Sequence, residues 1–222
     1  MWTRQTGQCG ALIAKDFRLH GRAVALTMAS YLLLIATAIH LMPRGVGPRV
    51  SFVFNSNLLL TLMWSDWLIT RERSRHTFAW LRGLPVDDRV LARAKFAMAA
   101  GWCLALWLMS SALFARELWR PPGTALVLQC ALVAFGGLSV ATKWRFPWRL
   151  GQILPLVIVL VPVLLLMAFA GDGTDRNEIL IAVWNAPYGR PAAAAALLAV
   201  YASVVASTVR WVTRADTFQL ID

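Results

Sequence analysis

Six runs of 19 to 21 residues in this 222-residue chain are almost free of charge: Ala23–Met42, Val50–Thr70, Phe96–Ala115, Thr124–Thr142, Leu150–Ala170 and Ala192–Trp211. A helix rises about 1.5 Å per residue, so roughly 20 apolar residues cross a bilayer core about 30 Å thick. A soluble domain rarely carries one such run. Six of them specify an all-α polytopic membrane protein with six transmembrane helices, built as one domain over residues 1–222. Charged residues make up 15% of the chain, against about 25% in a soluble domain.

The net charge of +11 could signal a nucleic-acid partner, but membrane topology accounts for it better. With both termini cytoplasmic, the inside segments hold 16 Lys/Arg and the outside loops hold 6. That asymmetry obeys the positive-inside rule, and basic side chains at the inner face also meet anionic lipid headgroups. No nucleic-acid ligand is needed, and membrane lipids are the expected neighbours. Cys9, Cys103 and Cys130 form no CxxC and read as small packing residues. The first 22 residues are basic and amphipathic and lead into a full-length run, so no cleaved signal is expected. The high Ala, Arg and Leu content points to a GC-rich bacterial genome and hence to the bacterial cytoplasmic membrane.

In chain order, Leu12–Val24 reads as an interfacial helix. Lys15, Arg18 and Arg22 form a basic stripe, and Ile13, Phe17 and Val24 form part of an apolar one. His40, at the outer end of the first run, is either a hydrated helix end or a ligand. The second run carries Asn55, Ser56 and Asn57 and, near its inner end, Asp66. The asparagines either bond across helices or line a polar cavity. Asp66 either pairs with Arg71 or Arg73, about one turn away, or acts as a gate.

Arg71–Lys95 separates the second and third runs and holds 7 of the 22 basic residues. Phe78, Leu81, Trp80 and Leu84 make one apolar side of a short helix, with Arg73, Arg75 and Arg82 in water. Gly83 and Pro85 end that helix, and Asp87 or Asp88 caps the next, which runs through Lys95 into the third span. The fourth run presents Ala134, Gly136, Gly137 and Ala141, a face suited to close packing within the bundle or against a second subunit. Pro155 and Pro162 bend the fifth run. The segment 171–190 joins polar GDGTDRNE to apolar ILIAVWN, which fits a re-entrant or interfacial helix before the last span.

Several chemistries are excluded. There is no GxxxxGK[ST], HExxH or GxSxG, and His20, His40 and His76 lie far apart. No catalytic, cofactor-binding or metal-binding constellation is legible, so the chain is not expected to be an enzyme.

Two stretches resemble the permease subunits of ABC-2 type (type V) ATP-binding-cassette transporters. LIAKDFRLHGR is similar to their N-terminal elbow helix, with Lys15, Phe17, Arg18 and Arg22 in it. Glu72, Thr77, Leu81, Leu84-Pro85-Val86 and Lys95 match the pattern of their first cytoplasmic loop, while His76 departs from the small residue usual before the threonine. The resemblance implies a half-transporter: two permease subunits, identical or different, working with separate ATPase subunits that bind ATP and Mg. It implies that the loop is a coupling helix touching the ATPase through Arg75, Phe78, Trp80, Leu81 and Arg82, with Glu72 as an anchor. It further implies export. Mostly apolar spans rich in Trp and Phe suit a lipid-like, drug-like or peptide cargo, with Asn55, Asn57 and Asp66 on a possible pathway or gate. The alternatives are a scaffold or sensor of the same fold and a stand-alone carrier or channel, which would need polar residues aligned through several spans.

Overall fold

The computed structural model describes residues 2–41, 46–74, 87–113, 124–146, 150–151, 153–158 and 186–214. Five long helices occupy most of them: α1 Trp2–Leu41, α2 Val46–Ser74, α3 Asp88–Leu113, α4 Thr124–Arg145 and α5 Gly189–Arg214. Residues 150–151 and 153–158 are also helical, and no strand occurs among the described residues.

By length and composition α3, α4 and α5 can each cross a membrane, and α1 makes a fourth if its two arms, Gly7–Asp16 and His20–Thr37, count as one span. These arms meet at a bend of 64°. The runs expected at 124–142 and 192–211 thus lie on α4 and α5, the run at 96–115 lies on α3 as far as residue 113, and the run at 23–42 lies on α1 beyond its bend as far as residue 41. The run at 50–70 is helical throughout as part of α2 but less apolar than the others. Asn55, Ser56, Asn57, Thr61, Ser65 and Asp66 interrupt it. Most of the expected fifth span, the coupling helix through Pro85 and the re-entrant segment lie outside the described residues.

Local chemistry explains the described ends. Asp87 caps α3: its Oδ1 accepts from the Arg89 N–H at 2.9 Å, and its carbonyl accepts from Val90 N–H at 2.8 Å. Of the two aspartates proposed as the cap, Asp87 takes the role and Asp88 occupies the first turn. Lys143 and Arg145 lie in the last turn of α4, where cations complement the helix dipole. Pro191 falls in the first turn of α5, where a missing N–H costs nothing.

Side-chain pairs fix the directions. Asn57 lies beside Ser110 and Thr61 beside Cys103, so α2 and α3 are antiparallel. Gly136 approaches Thr61 while Ser139 meets Ser65, so α4 runs parallel to α2. Gly137 approaches Tyr201 and Arg145 reaches Thr208, so α5 runs parallel to α4. Tyr31 bonds Asn57 and Asp16 meets Lys95, which sets α1 parallel to α3. The end of α4 and the start of α5 therefore lie at opposite ends of the bundle.

α3 and α4 form the centre. α3 packs on all four other long helices, and α4 packs on α2, α3 and α5. In an apolar medium there is little hydrophobic drive between helices, so close contact and hydrogen bonds must hold them together. The glycines of α4 supply the contact. A Cβ at Gly136 would stand 2.9 Å from Cys103 Sγ, and one at Gly137 would stand 2.6 Å from the Tyr201 ring. Ala134 and Ala141 are buried as well. The small-residue face is thus spent inside the bundle, which decides between the two packings open from sequence. A Gly137→Ala variant should lose about 1–3 kcal/mol of stability through overpacking, whereas Gly101→Ala, with open space around it, should lose none. Thermal unfolding of both variants in mild detergent checks this.

Candidate functional site

α2 presents Asn57, Thr61 and Ser65 four residues apart, so they stack on one face of the helix. All three are buried. A polar group in an apolar interior must find a partner or cost several kcal/mol, and each of the three finds one on another helix. At the Asn57 level, Tyr31 Oη donates to Asn57 Oδ1 and lies 2.8 Å from Ser110 Oγ. Asn57 Nδ2 donates to Ser110 Oγ at 3.1 Å, and that hydroxyl donates to the Leu106 carbonyl at 2.7 Å. One node therefore joins α1, α2 and α3.

One turn along, Thr61 Oγ1 lies 3.7 Å from Cys103 Sγ, whose thiol donates to the Leu132 carbonyl of α4 at 3.4 Å. One further turn brings Ser65 Oγ to 2.5 Å from Ser139 Oγ. Lys143 of α4 completes this level. Its Nζ donates to the Leu62 carbonyl at 2.8 Å and to Ser65 Oγ at 3.0 Å, and stands 3.6 Å from Asp66 Oδ1. The seam from Asn57 to Asp66 rises about 13 Å along α2, nearly half a bilayer core. Beside it, Trp64 and Trp102 stack with ring centroids 4.4 Å apart.

A second buried group lies at the same end of the bundle as Lys143. Lys95 of α3, 1% exposed, donates to Asp16 Oδ2 at 2.7 Å, and Asp16 is 2% exposed. Lys15 approaches the other carboxylate oxygen at 3.2 Å. Asp16 ends the first arm of α1, immediately before the bend. Lys95 belongs to the first two turns of α3. The ion pair therefore fastens the arm of α1 to the base of α3.

The residues singled out from sequence fare unequally. Asn57 bonds across helices and lies within the seam, whereas Asn55 is exposed on another face. Asp66 is partly exposed and meets Lys143; the side chains of Arg71, Glu72 and Arg73 lie outside the described set. Lys15 is partly buried against Asp16, and Arg18 and Arg22 are exposed. The side chain of Phe17 lies outside the described set. So do Arg75, Thr77, Phe78, Trp80, Leu81, Arg82, Leu84 and Pro85.

Asp16, Lys95 and Lys143 went unrecognised as a group, although one sequence signal marks them. The chain has 22 Lys and Arg, and only Lys15, Lys95 and Lys143 are lysines. Each lies within 3.6 Å of a carboxylate oxygen. Asp16 is also the only acid before Asp66.

The described residues contain no cluster of three His, Cys, Asp or Glu able to hold a metal. The hydroxyls and amides of the seam bond one another, so as it stands the arrangement couples helices. Comparison with known proteins found no matching family model, no matching curated protein and no matching solved structure.

Removing one partner of a buried pair leaves the other charge uncompensated, at a cost of about 3–5 kcal/mol. Asp16→Leu and Lys95→Met should each destabilise the chain by that order. The double variant Asp16→Leu with Lys95→Met should recover most of the loss. Denaturation of the four proteins in detergent forms the cycle that measures the coupling.

Proposed function

We propose that the chain is the permease subunit of an ATP-driven exporter of the ABC-2 type it resembles, coupling a separate ATPase to movement of a lipid-like, drug-like or peptide cargo. The observation that carries this reading is the Asp16–Lys95 pair. Lys95 closes the 71–95 loop, and Asp16 closes the first arm of α1, within the expected interfacial stretch Leu12–Val24 that the bend after Asp16 divides. A push on the loop is therefore delivered to α3 and to the arm together. Below that level, the seam ties α2 to α1, α3 and α4, so α2 cannot tilt alone. A partner that contacts two arrangements of this bundle differently would shift the balance between them.

Other features agree with the proposal. The bent first helix suits an elbow lying on the inner face before the first crossing. α4 and α5 are adjacent and parallel, which a fifth crossing at 150–170 would require in a six-span topology. Chain termini at the basic end follow from the positive-inside rule. ATP and Mg would belong to the partner, and a second permease subunit would complete the transporter.

The seam also favours a second reading, a stand-alone carrier, because it aligns polar groups from four helices. Partner capture separates the two. Affinity purification of the tagged chain from native membranes in mild detergent should bring a stoichiometric P-loop ATPase. Replacing Phe78 and Leu81 with Asp should abolish that copurification while the chain stays inserted. A well-folded chain that purifies alone, yet moves solute in vesicles without ATP, would establish the carrier instead.

A further inference from the structure

A groove of about 710 Å³ opens between α3 and α5. Arg89 and Arg93 of α3 and Arg210 of α5 line it, and all three side chains are exposed. Its remaining wall is apolar, with Phe96, Tyr201 and Val205 as the large contributors. Tyr201 Oη donates to the Phe96 carbonyl at 3.2 Å, which marks one level shared by the two helices. From there Arg93 and Arg89 lie about 4 and 10 Å along α3, and Arg210 about 13 Å along α5. α3 and α5 are antiparallel, so the three guanidiniums gather at the basic end and the apolar wall extends toward the bundle centre.

α5 is among the most apolar helices of the chain, yet only 11% of its spanning window is buried. In a bilayer such a face meets acyl chains. At the level where the helices leave the hydrocarbon, acyl chains are attached to phosphates. Guanidinium forks grip phosphate oxygens in pairs. Asp87 and Asp88 stand near the rim, but the Asp87 carboxylate is turned to its own helix cap, and three cations still outnumber two anions.

We infer that the α3–α5 groove binds an anionic phospholipid, with its phosphate between Arg89, Arg93 and Arg210 and an acyl chain along Tyr201, Ala202 and Val205. A zwitterionic lipid would bring a second cation to a basic rim. A free phosphate would leave the apolar wall unused. The site stands whether or not the chain is a permease.

The test is a lipid titration of the full chain in mild detergent, read by native mass spectrometry, with phosphatidylglycerol, phosphatidylcholine and inorganic phosphate as probes. Phosphatidylglycerol should bind at least about tenfold more tightly than phosphatidylcholine, and millimolar phosphate should not displace it. Each of Arg89→Gln, Arg93→Gln and Arg210→Gln should weaken binding about fivefold, and Arg→Lys at the same positions should restore only part of it, because the charge returns without the fork. Ala206→Trp, which fills the apolar wall and leaves the charges, should weaken both lipids; it decides the matter if the charge variants fail to fold. Equal affinity for the two lipids, or indifference to the Gln variants, would overturn the site. Full competition by phosphate would reduce it to a headgroup-sized anion site. Loss of a protein partner from the Gln variants with lipid binding intact would make the rim a protein-docking surface and equally overturn the inference.

Discussion

A carboxylate and an ammonium, both nearly sealed from solvent, set the terms for the rest of this bundle. Taken singly, Asp16 and Lys95 would each be expensive at the edge of a bilayer. Together, at 2.7 Å and with Lys15 on the second oxygen, they become an obligatory contact. The cost of separating them is what holds the first arm of α1 against α3. The 64° bend then follows, because the arm is pinned at Asp16 while the second arm packs against α2 and α3 through Tyr31.

The interior of the bundle uses a related device repeatedly. Asn57, Thr61 and Ser65 lie one turn apart, and each turn meets a different set of helices. Each polar side chain is tolerated because the level at which it sits supplies its partner. Glycines on α4 bring the backbones close enough for those partners to reach. Gly136 brings Cys103 and Thr61 within touch of α4, so packing and hydrogen bonding depend on one another. A change in the tilt of α2 would have to break several of these levels together. That favours discrete arrangements over continuous deformation.

Much of this was legible from sequence. Long apolar runs dictate helices, so α3, α4 and α5 could be placed directly, and the small residues of α4 announced a close-packed face. A cap at Asp87 or Asp88 was readable because Asp favours the positive end of a helix, and Asp87 takes it. Which partner a polar group takes was not legible. The described contact of Asp66 is Lys143, 77 positions away, because α2 and α4 lie side by side and parallel; the side chains of Arg71 and Arg73 lie outside the described residues. Helix adjacency is a tertiary fact that periodicity does not encode. Asp16 was overlooked because the Lys15–Arg18–Arg22 stripe describes a wet face, and Asp16 falls on the opposite, buried side. The rarity of lysine among so many arginines was the available clue.

The most direct measurement is the distance between the arm and α3, with and without the pair. Spin labels at Gly7 and Gly101, both exposed and with open space around them, can be placed in a chain whose three cysteines are replaced by alanine. Electron–electron resonance in lipid nanodiscs then reports the distribution. A single narrow distance in the parent chain that broadens in Lys95→Met would establish the pair as the fastening between arm and bundle. An equally narrow distance in both would mean that something else holds the arm, and the transmission route built on Asp16 and Lys95 would be wrong.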